Sequence, residues 1–457
     1  MGARLALETS AARLVGRLSR AARRGGGTTL PGKLVWKLDR GALDALAARL
    51  PHGVALISAT NGKTTSAAMT ASILAPTHRL AWNRSGANLA SGVTSTLLAS
   101  QDAELGLLEV DEFALPEIIR RTEPRVVALG NLFRDQLDRY GELEHIAERW
   151  RDAVGALAGA TTVVVNADDP LVASLAEGRE HALRFGVDDP SRARGALPHA
   201  SDSKYCVRCG NPYAYDAVYV GHLGAYRCPA CGHARPLLDV AARQIESDGL
   251  DGVSFLLDTP NGSARVQLAV PGLYNVYNAL AAASVALALD TKLDDVVAGL
   301  ERFRAAFGRF ERFAVGDRSA LLLLIKNPAG ANEALRTLEE GGVPPTLIVA
   351  LNDQIADGRD VSWIWDVDFE PVLERVERIV ASGDRAAELA LRFTYAGFPA
   401  ERIEVVPALE QAFDRGLELI PVGGELVVLP TYTAMLALRA IATGRGLTRP
   451  YWEDVTA

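Results

Sequence analysis

A chain of 457 residues, 49% apolar and 23% charged, is long enough for roughly two or three domains, each with its own core. The net charge of −8 argues against a nucleic-acid binder, which needs a basic face for the phosphate backbone. No apolar run reaches the roughly 18 residues of a membrane span, and no apolar signal core or cleavage site follows the basic start. The expected compartment is the cytoplasm.

In chain order, residues 1–52 read as an N-terminal helical segment. Its first part sets Leu5, Leu14, Val15 and Leu18 among Arg4, Arg13, Arg17, Arg20, Arg23 and Arg24 before breaking at Gly25, Gly26 and Gly27. That is the pattern of a short basic amphipathic helix. Packing on its own domain is the favoured reading; peripheral contact with an anionic membrane surface is the second. From residue 53, apolar runs alternate with helical patterns. Val54 to Ser58 leads into a helix from Thr64 to Leu74, and Leu105 to Val110, Val126 to Leu129 and Thr162 to Val165 are further buried-strand candidates. The alternation predicts βαβ units and a mostly parallel sheet. A Cys-, Tyr- and Gly-rich stretch at about residues 200–236 interrupts it as an insertion. The pattern resumes with Leu321 to Ile325, Thr346 to Leu351, Arg378 to Ser382, Ile403 to Val406 and Glu425 to Leu429. A central α/β domain over 53–311 and a C-terminal α/β domain over 312–457 are expected.

The first strand runs into Ala59-Thr60-Asn61-Gly62-Lys63-Thr64-Thr65. A strand, a small-residue turn and a helix opening on Gly-Lys-Thr-Thr cradle polyphosphate. Backbone N–H groups face the anion, the lysine reaches the terminal phosphates, and the next hydroxyl joins the Mg²⁺ shell. Ile57 occupies the first glycine position of the eight-residue template, so the shorter G-x-x-G-K-[ST]-[ST] form fits better, with Ala59 in place of its first glycine. Alanine tolerates a positive φ poorly, so an ordinary φ or a remodelled turn is expected there. Only six lysines occur in this arginine-rich chain, which slightly favours Lys63 and Lys326 as functional.

Cys206-Val-Arg-Cys209 and Cys228-Pro-Ala-Cys231 are separated by 18 residues, the spacing of a four-thiolate zinc ribbon. Two disulfides are the alternative, disfavoured in a reducing compartment. A site closed by four thiolates has no open position, so its role is structural. Hydrolysis of glutamine by a Cys-His mechanism needs a free thiolate. With all four cysteines assigned to metal, that step would fall to another chain.

Further segments follow in order: Glu109 in Leu-Leu-Glu-Val-Asp-Glu, Asn131-Leu-Phe-Arg-Asp135-Gln136-Leu-Asp138-Arg139, Asn166-Ala-Asp168-Asp169-Pro170, Tyr274-Asn275-Val276-Tyr277-Asn278-Ala279 and Gly308-Arg309-Phe-Glu311. Together with the loop they resemble the Mur ligase and folylpolyglutamate synthase superfamily. Residues 1–58 are too few for the UDP-sugar domain of ordinary Mur ligases. The cysteine insertion and the segment Leu351-Asn-Asp353-Gln-Ile-Ala-Asp357-Gly-Arg-Asp360-Val-Ser362-Trp363-Ile-Trp365-Asp366 look like the MurT family, and the resemblance runs the length of the chain.

The resemblance implies an α/β fold: a Mur-ligase-type central P-loop ATPase domain with a mostly parallel sheet, an inserted four-cysteine zinc ribbon, and a C-terminal Rossmann-like α/β domain. It implies a lipid II isoglutaminyl synthase, a heterodimer with a GatD-type glutaminase. Such an enzyme acts at the inner face of the membrane on lipid II, forming an acyl phosphate that ammonia attacks. ATP, Mg²⁺ and Zn²⁺ are the expected cofactors. Thr60, Asn61, Gly62, Lys63, Thr64 and Thr65 would cradle the phosphates, and Thr64 and Glu109 would hold Mg²⁺. Gln136 stands where the family usually has a metal-binding histidine. Asp168 and Asn278 would help seat the nucleotide, Arg309 and Lys63 would offset phosphate charge, and Lys326 would act from the C-terminal domain. Asp360, ahead of Asp357 and Asp353, would orient the partner's catalytic histidine. Trp363 and Trp365 are interface anchors or core residues. The competing readings are a conventional Mur- or folylpolyglutamate-type amino-acid ligase and a non-catalytic zinc-ribbon binding protein.

Overall fold

The computed structural model describes residues 30–39, 41–84, 86–134, 143–195, 197–198, 201–304 and 309–448. The basic amphipathic segment expected before Leu30 lies outside them, as do Asp135, Gln136, Asp138, Arg139 and Gly308 and the side chain of Arg309.

The strands run β1 (Val54–Ser58), β2 (Leu80–Trp82), β3 (Leu105–Glu109), β4 (Val126–Leu129), β5 (Thr162–Asn166), β6 (Ala182–Val187), β7 (Ala214–Val220), β8 (Leu223–Arg227), β9 (Val240–Ser247), β10 (Val253–Thr259) and β11 (Gly262–Leu268). Then follow β12 (Arg309–Val315), β13 (Arg318–Leu323), β14 (Thr346–Ala350), β15 (Arg378–Ser382), β16 (Ile403–Val405) and β17 (Glu425–Pro430).

Among the described residues the first sheet has the order β11-β10-β9-β6-β5-β4-β1-β3-β2. It is parallel from β2 through β9 and ends in the antiparallel meander β9-β10-β11. β1, β3 and β4 are buried at every position. Helices cover both faces, which is why these strands read as continuous apolar runs rather than alternating ones. One face packs the helices Lys63–Leu74, Leu273–Ala288 and Leu293–Arg302, around Met69, Leu280 and Phe255. The other packs Ala42–Ala47, Ala90–Ala99, Leu115–Thr122 and Leu143–Gly155, around Leu43, Ile118 and Trp150.

The hairpin of β7 and β8 stands apart as a two-stranded sheet carrying the cysteine pairs. The second large sheet has the order β12-β13-β17-β14-β15-β16. It is parallel except for the hairpin β12-β13 and has a core on each face. No described helix is long and apolar enough to cross a membrane.

Parallel strands place their carboxyl ends, and the loops leaving them, along one edge of the sheet, where ligands of open α/β sheets sit. Ser58, Glu109 and Leu129 all end strands at that edge.

Candidate phosphate-binding and metal sites

The loop leaving β1 is braced by the loop leaving its neighbour β4. The N–H of Thr60 donates to the Asn131 carbonyl (2.9 Å) and that of Asn61 to Asn131 Oδ1 (2.9 Å), while Asn131 Nδ2 donates to the Asn61 carbonyl (3.0 Å). The N–H of Phe133 donates to Thr60 Oγ1 (3.1 Å). Gly62 then turns the chain with φ 85°. A Cβ there would lie 1.9 Å from Asn278 Oδ1, so glycine is required by conformation and by space. Asn278 accepts from Ser66 Oγ (3.3 Å) and donates to Asn275 Oδ1 (3.0 Å), tying the loop to the start of the helix Leu273–Ala288. The helix Lys63–Leu74 directs its first N–H groups into the loop, the arrangement that binds phosphate.

Lys63 Nζ lies 3.0 Å from the Ala59 carbonyl and 3.1 Å from Glu112 Oε2. The second sheet reaches the same loop: Lys326 Nζ donates to the Thr60 carbonyl (3.0 Å). Asn61 and Asn327 exchange amide hydrogen bonds (3.2 and 3.0 Å). Between these elements lies a cleft of about 920 Å³, open to solvent and lined by Asn61, Gly62, Tyr274, Asn278, Phe310 and Lys326 among others. Phe310 lines it with φ 83°, a strained conformation for an aromatic residue and of the kind found at binding sites.

Glu109 ends β3 fully enclosed. Asn83 brackets its peptide, accepting from the Glu109 N–H (2.8 Å) and donating to its carbonyl (2.8 Å). Asn88 Nδ2 donates to Oε1 (3.1 Å). Oε2 is buried with no hydrogen-bond partner among the described residues. A Cβ built on Gly86 would lie 3.9 Å from this Oε2 and 3.9 Å from Thr64 Oγ1, so both oxygens border one small space at the phosphate loop. A buried carboxylate oxygen without a donor beside a hydroxyl fits a hard cation.

The four sulfurs lie within 4.8 Å of one another, with Cys206–Cys231 at 3.6 Å and Cys209–Cys228 at 3.5 Å. Tetrahedral zinc with bonds of about 2.3 Å sets its sulfurs about 3.8 Å apart, so the cluster has the right dimensions. Gly210 (φ 72°) and Gly232 (φ 77°) close the turn after each pair, donating to the Cys206 (2.8 Å) and Cys228 (3.0 Å) carbonyls. The backbone N–H and side-chain amide of Asn211 draw the Cys209 thiol down to about 6. The backbone N–H of His233 favours a Cys231 thiolate, yet burial and the neighbouring sulfurs push that thiol up to about 12. Four thiolates this close would repel one another, and a cation among them would relieve that repulsion.

Asp168 is drawn away from the cleft. Its carboxylate is fully buried, accepting from Arg235 Nη1 (3.0 Å), Tyr277 Oη (2.5 Å) and the Val187 N–H (2.9 Å). It fastens the end of the cysteine insertion to β6 and to the helix Leu273–Ala288. In the acidic segment, Asp357 is buried and accepts from the Thr433 N–H (2.8 Å) and Oγ1, and Asp353 pairs with Arg385 (3.0 Å). Asp360 is exposed and accepts from the Ser362 N–H (2.9 Å); the Ser362 hydroxyl, with that N–H, holds its carboxyl below the usual range. Nearby Trp365 is 47% exposed and stacks edge-on with the exposed Tyr395, while Trp363 packs at the margin of the second core.

Thus Thr60 to Thr65, Glu109, Asn278 and Lys326 converge on one loop; Asp360 and the cysteines occupy separate places. Glu112 and Asn88 complete the site without having been singled out from sequence, although Glu112 closes the stretch Leu-Leu-Glu-Val-Asp-Glu.

The Mur ligase middle-domain model matches residues 57–217 and the MurT ligase C-terminal model residues 324–435. Among solved structures, a pseudomurein peptide ligase type C from Methanothermus fervidus superposes with a TM-score of 0.66 at 21% identity, covering 86% of this chain and 78% of that one. MurF ligase from Thermotoga maritima in complex with ADP gives 0.63 at 14%, covering 90% and 82%. Fold and loop define an ATP-dependent ligase of the Mur type. A relative from Streptococcus pneumoniae (strain ATCC BAA-255 / R6), lipid II isoglutaminyl synthase (glutamine-hydrolyzing) subunit MurT, is 34% identical over 453 residues, 97% of this chain and 99% of its own. The same-named subunit of Staphylococcus aureus (strain N315) is 31% identical over 414 residues, 90% and 91% of the two chains. The chain belongs to the MurT family.

Proposed function

We propose that this chain amidates the α-carboxylate of the D-glutamate in the lipid II stem peptide to D-isoglutamine, drawing ammonia from a separate glutaminase. The observation that carries this reading is the likeness to the pneumococcal subunit, 34% identical, along nearly the whole length of both chains.

A free carboxylate is a poor acylating agent. Transfer of the γ-phosphoryl group of ATP to it gives an acyl phosphate and ADP; ammonia then attacks the carbonyl carbon, and inorganic phosphate leaves. The protein's share is positioning and charge stabilisation. The N–H groups of the loop receive the polyphosphate, and Lys63, Lys326 and Arg309 balance its charge. Thr64 and Glu109 Oε2 would hold Mg²⁺, which would supply positive charge against the phosphates. The thiolates of Cys206, Cys209, Cys228 and Cys231 would hold Zn²⁺ as a structural ion. With the cysteines gathered in one cluster, a thiolate nucleophile for glutamine has to come from the partner. Of Asp353, Asp357 and Asp360, Asp360 is the exposed one, without the burial of Asp357 or the ion pair of Asp353, and would orient the partner's histidine.

The test is co-purification with candidate glutaminases followed by mass spectrometry of lipid II incubated with ATP and glutamine. Conversion of the stem-peptide hydroxyl to an amide supports the reading. Unchanged lipid II, with glutamine and with ammonium alike, sinks it.

A further inference from the structure

Lys63 and Glu112 form an ion pair with side chains only 11% and 7% exposed. Glu112 is fixed from behind, its carbonyl accepting from Trp150 Nε1 (2.8 Å), itself part of the core. Lys326 approaches the same loop from the second sheet. Burial pushes the Glu112 carboxyl up, but the charges of Lys63 and, beyond it, Lys326 outweigh this and hold it below its ordinary value. Two ammonium groups thus meet at a loop built to receive anions. The buried carboxylate of Glu112 offsets part of their mutual repulsion and of the desolvation of Lys63.

We propose that Glu112 is a positioning counter-charge: it holds Lys63 while the phosphate site is empty and opposes the phosphates that displace it, so that it sets how quickly nucleotide leaves. The proposal rests on the reading of the loop as a nucleotide site. A phosphate arriving at Lys63 competes with Glu112 for the ammonium and meets its negative charge at close range. Removing that charge takes the Glu112 partner from the buried Lys63 ammonium and makes phosphate the better one. Nucleotide should bind more tightly while the empty protein becomes less stable.

The experiment compares the full-length wild type with Glu112→Gln, which keeps the shape and drops the charge. Affinity for Mg·ADP is measured by calorimetry, release of a fluorescent ADP analogue by stopped flow, and melting with and without ADP. The expected result is a lower melting temperature without ADP, a larger rise on adding it, and about tenfold tighter binding carried mainly by slower release. In a Lys63→Met background the same substitution should change ADP affinity by less than about twofold, because the two residues act as one unit. If Glu112→Gln does not fold, Glu112→Asp, which keeps the charge but withdraws it from Lys63, should give a smaller tightening of the same sign. A folded variant that binds ADP equally or more weakly overturns the proposal and leaves Glu112 a purely structural partner. A wild-type chain that binds no ADP removes the nucleotide reading itself, and this inference with it.

Discussion

Gly130 and Ala59 are fitted to each other: a Cβ on Gly130 would come within 2.8 Å of the Ala59 methyl. Ala59 lies outside the left-handed region, so the alanine in place of the expected glycine needs room rather than an unusual φ. Gly130, whose N–H donates to the Ser58 carbonyl (2.9 Å), supplies that room. Gly130→Ala should therefore force the loop outward at a cost of about 1–3 kcal/mol and weaken ADP binding. Adding Ala59→Gly should recover most of both losses. Urea unfolding and ADP titration of the two single variants and the double check this; simple additivity would show that the two positions are not coupled.

Removal of the structural ion should act locally. Cys209→Ser leaves three thiolates, too few to close a tetrahedral site. The variant should bind far less zinc, and the hairpin of β7 and β8 should lose its protection from proteolysis. Metal analysis of the purified chain and limited proteolysis with and without a chelator provide the check. Zinc retained at one per chain after the substitution would count against a four-thiolate site.

Asp360→Asn keeps the side-chain shape and the hydrogen bond from Ser362, and removes the charge proposed to face the partner. Amidation supported by glutamine should fall at least about a hundredfold, on the scale of losing an orienting group, while amidation supported by ammonium stays close to wild type. Equal loss with both nitrogen sources would refute the assignment.

The limits of the sequence follow from what each feature depends on. β1, β3 and β4 were legible because strands buried on both faces must be apolar throughout. The loop was legible because its chemistry lies within seven consecutive residues. β9, β10 and β11 were not anticipated: β9 and β11 mix buried and exposed positions, and polar Ser254 and Asp258 interrupt β10, so no continuous apolar run marks them. Glu112 pairs across the sheet edge with Lys63, and Gly130 makes room for Ala59. Both partnerships join the ends of different strands and exist only once β1, β3 and β4 are adjacent. Asp168 shows the converse. Its motif points to the nucleotide, yet its carboxylate meets Arg235 and Tyr277, neither of which is near it in sequence.

Asn327 does two tasks that a substitution can separate. Its Oδ1 caps the helix Pro328–Gly341 by accepting from the Gly330 N–H (2.8 Å), and its amide pairs with Asn61 in the phosphate loop. Asn327→Ser retains a capping oxygen but is too short for the exchange with Asn61. Stability should change by less than about 1 kcal/mol. Ligase turnover should drop about tenfold, because the second sheet no longer brings Lys326 to the loop in register. Urea unfolding beside steady-state kinetics separates the two. A large stability loss with turnover preserved in the remaining folded enzyme would mean that Asn327 serves the cap alone.

The Lys63–Glu112 pair also predicts an acid limb in stability. A carboxyl whose pKa is lower in the folded state than its ordinary 4.5 releases its proton more readily when folded, so its contribution is fully present above the unfolded value. It is lost as the pH falls below 4.5 through the folded value, where folded and unfolded chains both carry the proton. Glu112→Gln has no such group. The gap in urea midpoint between wild type and variant should stay constant above about pH 5.5, roughly one unit above the unfolded pKa. It should narrow steadily on the acid side. The sign is what matters: a gap that widens on acidification would mean that Glu112 is protonated in the folded protein and that no ion pair restrains Lys63.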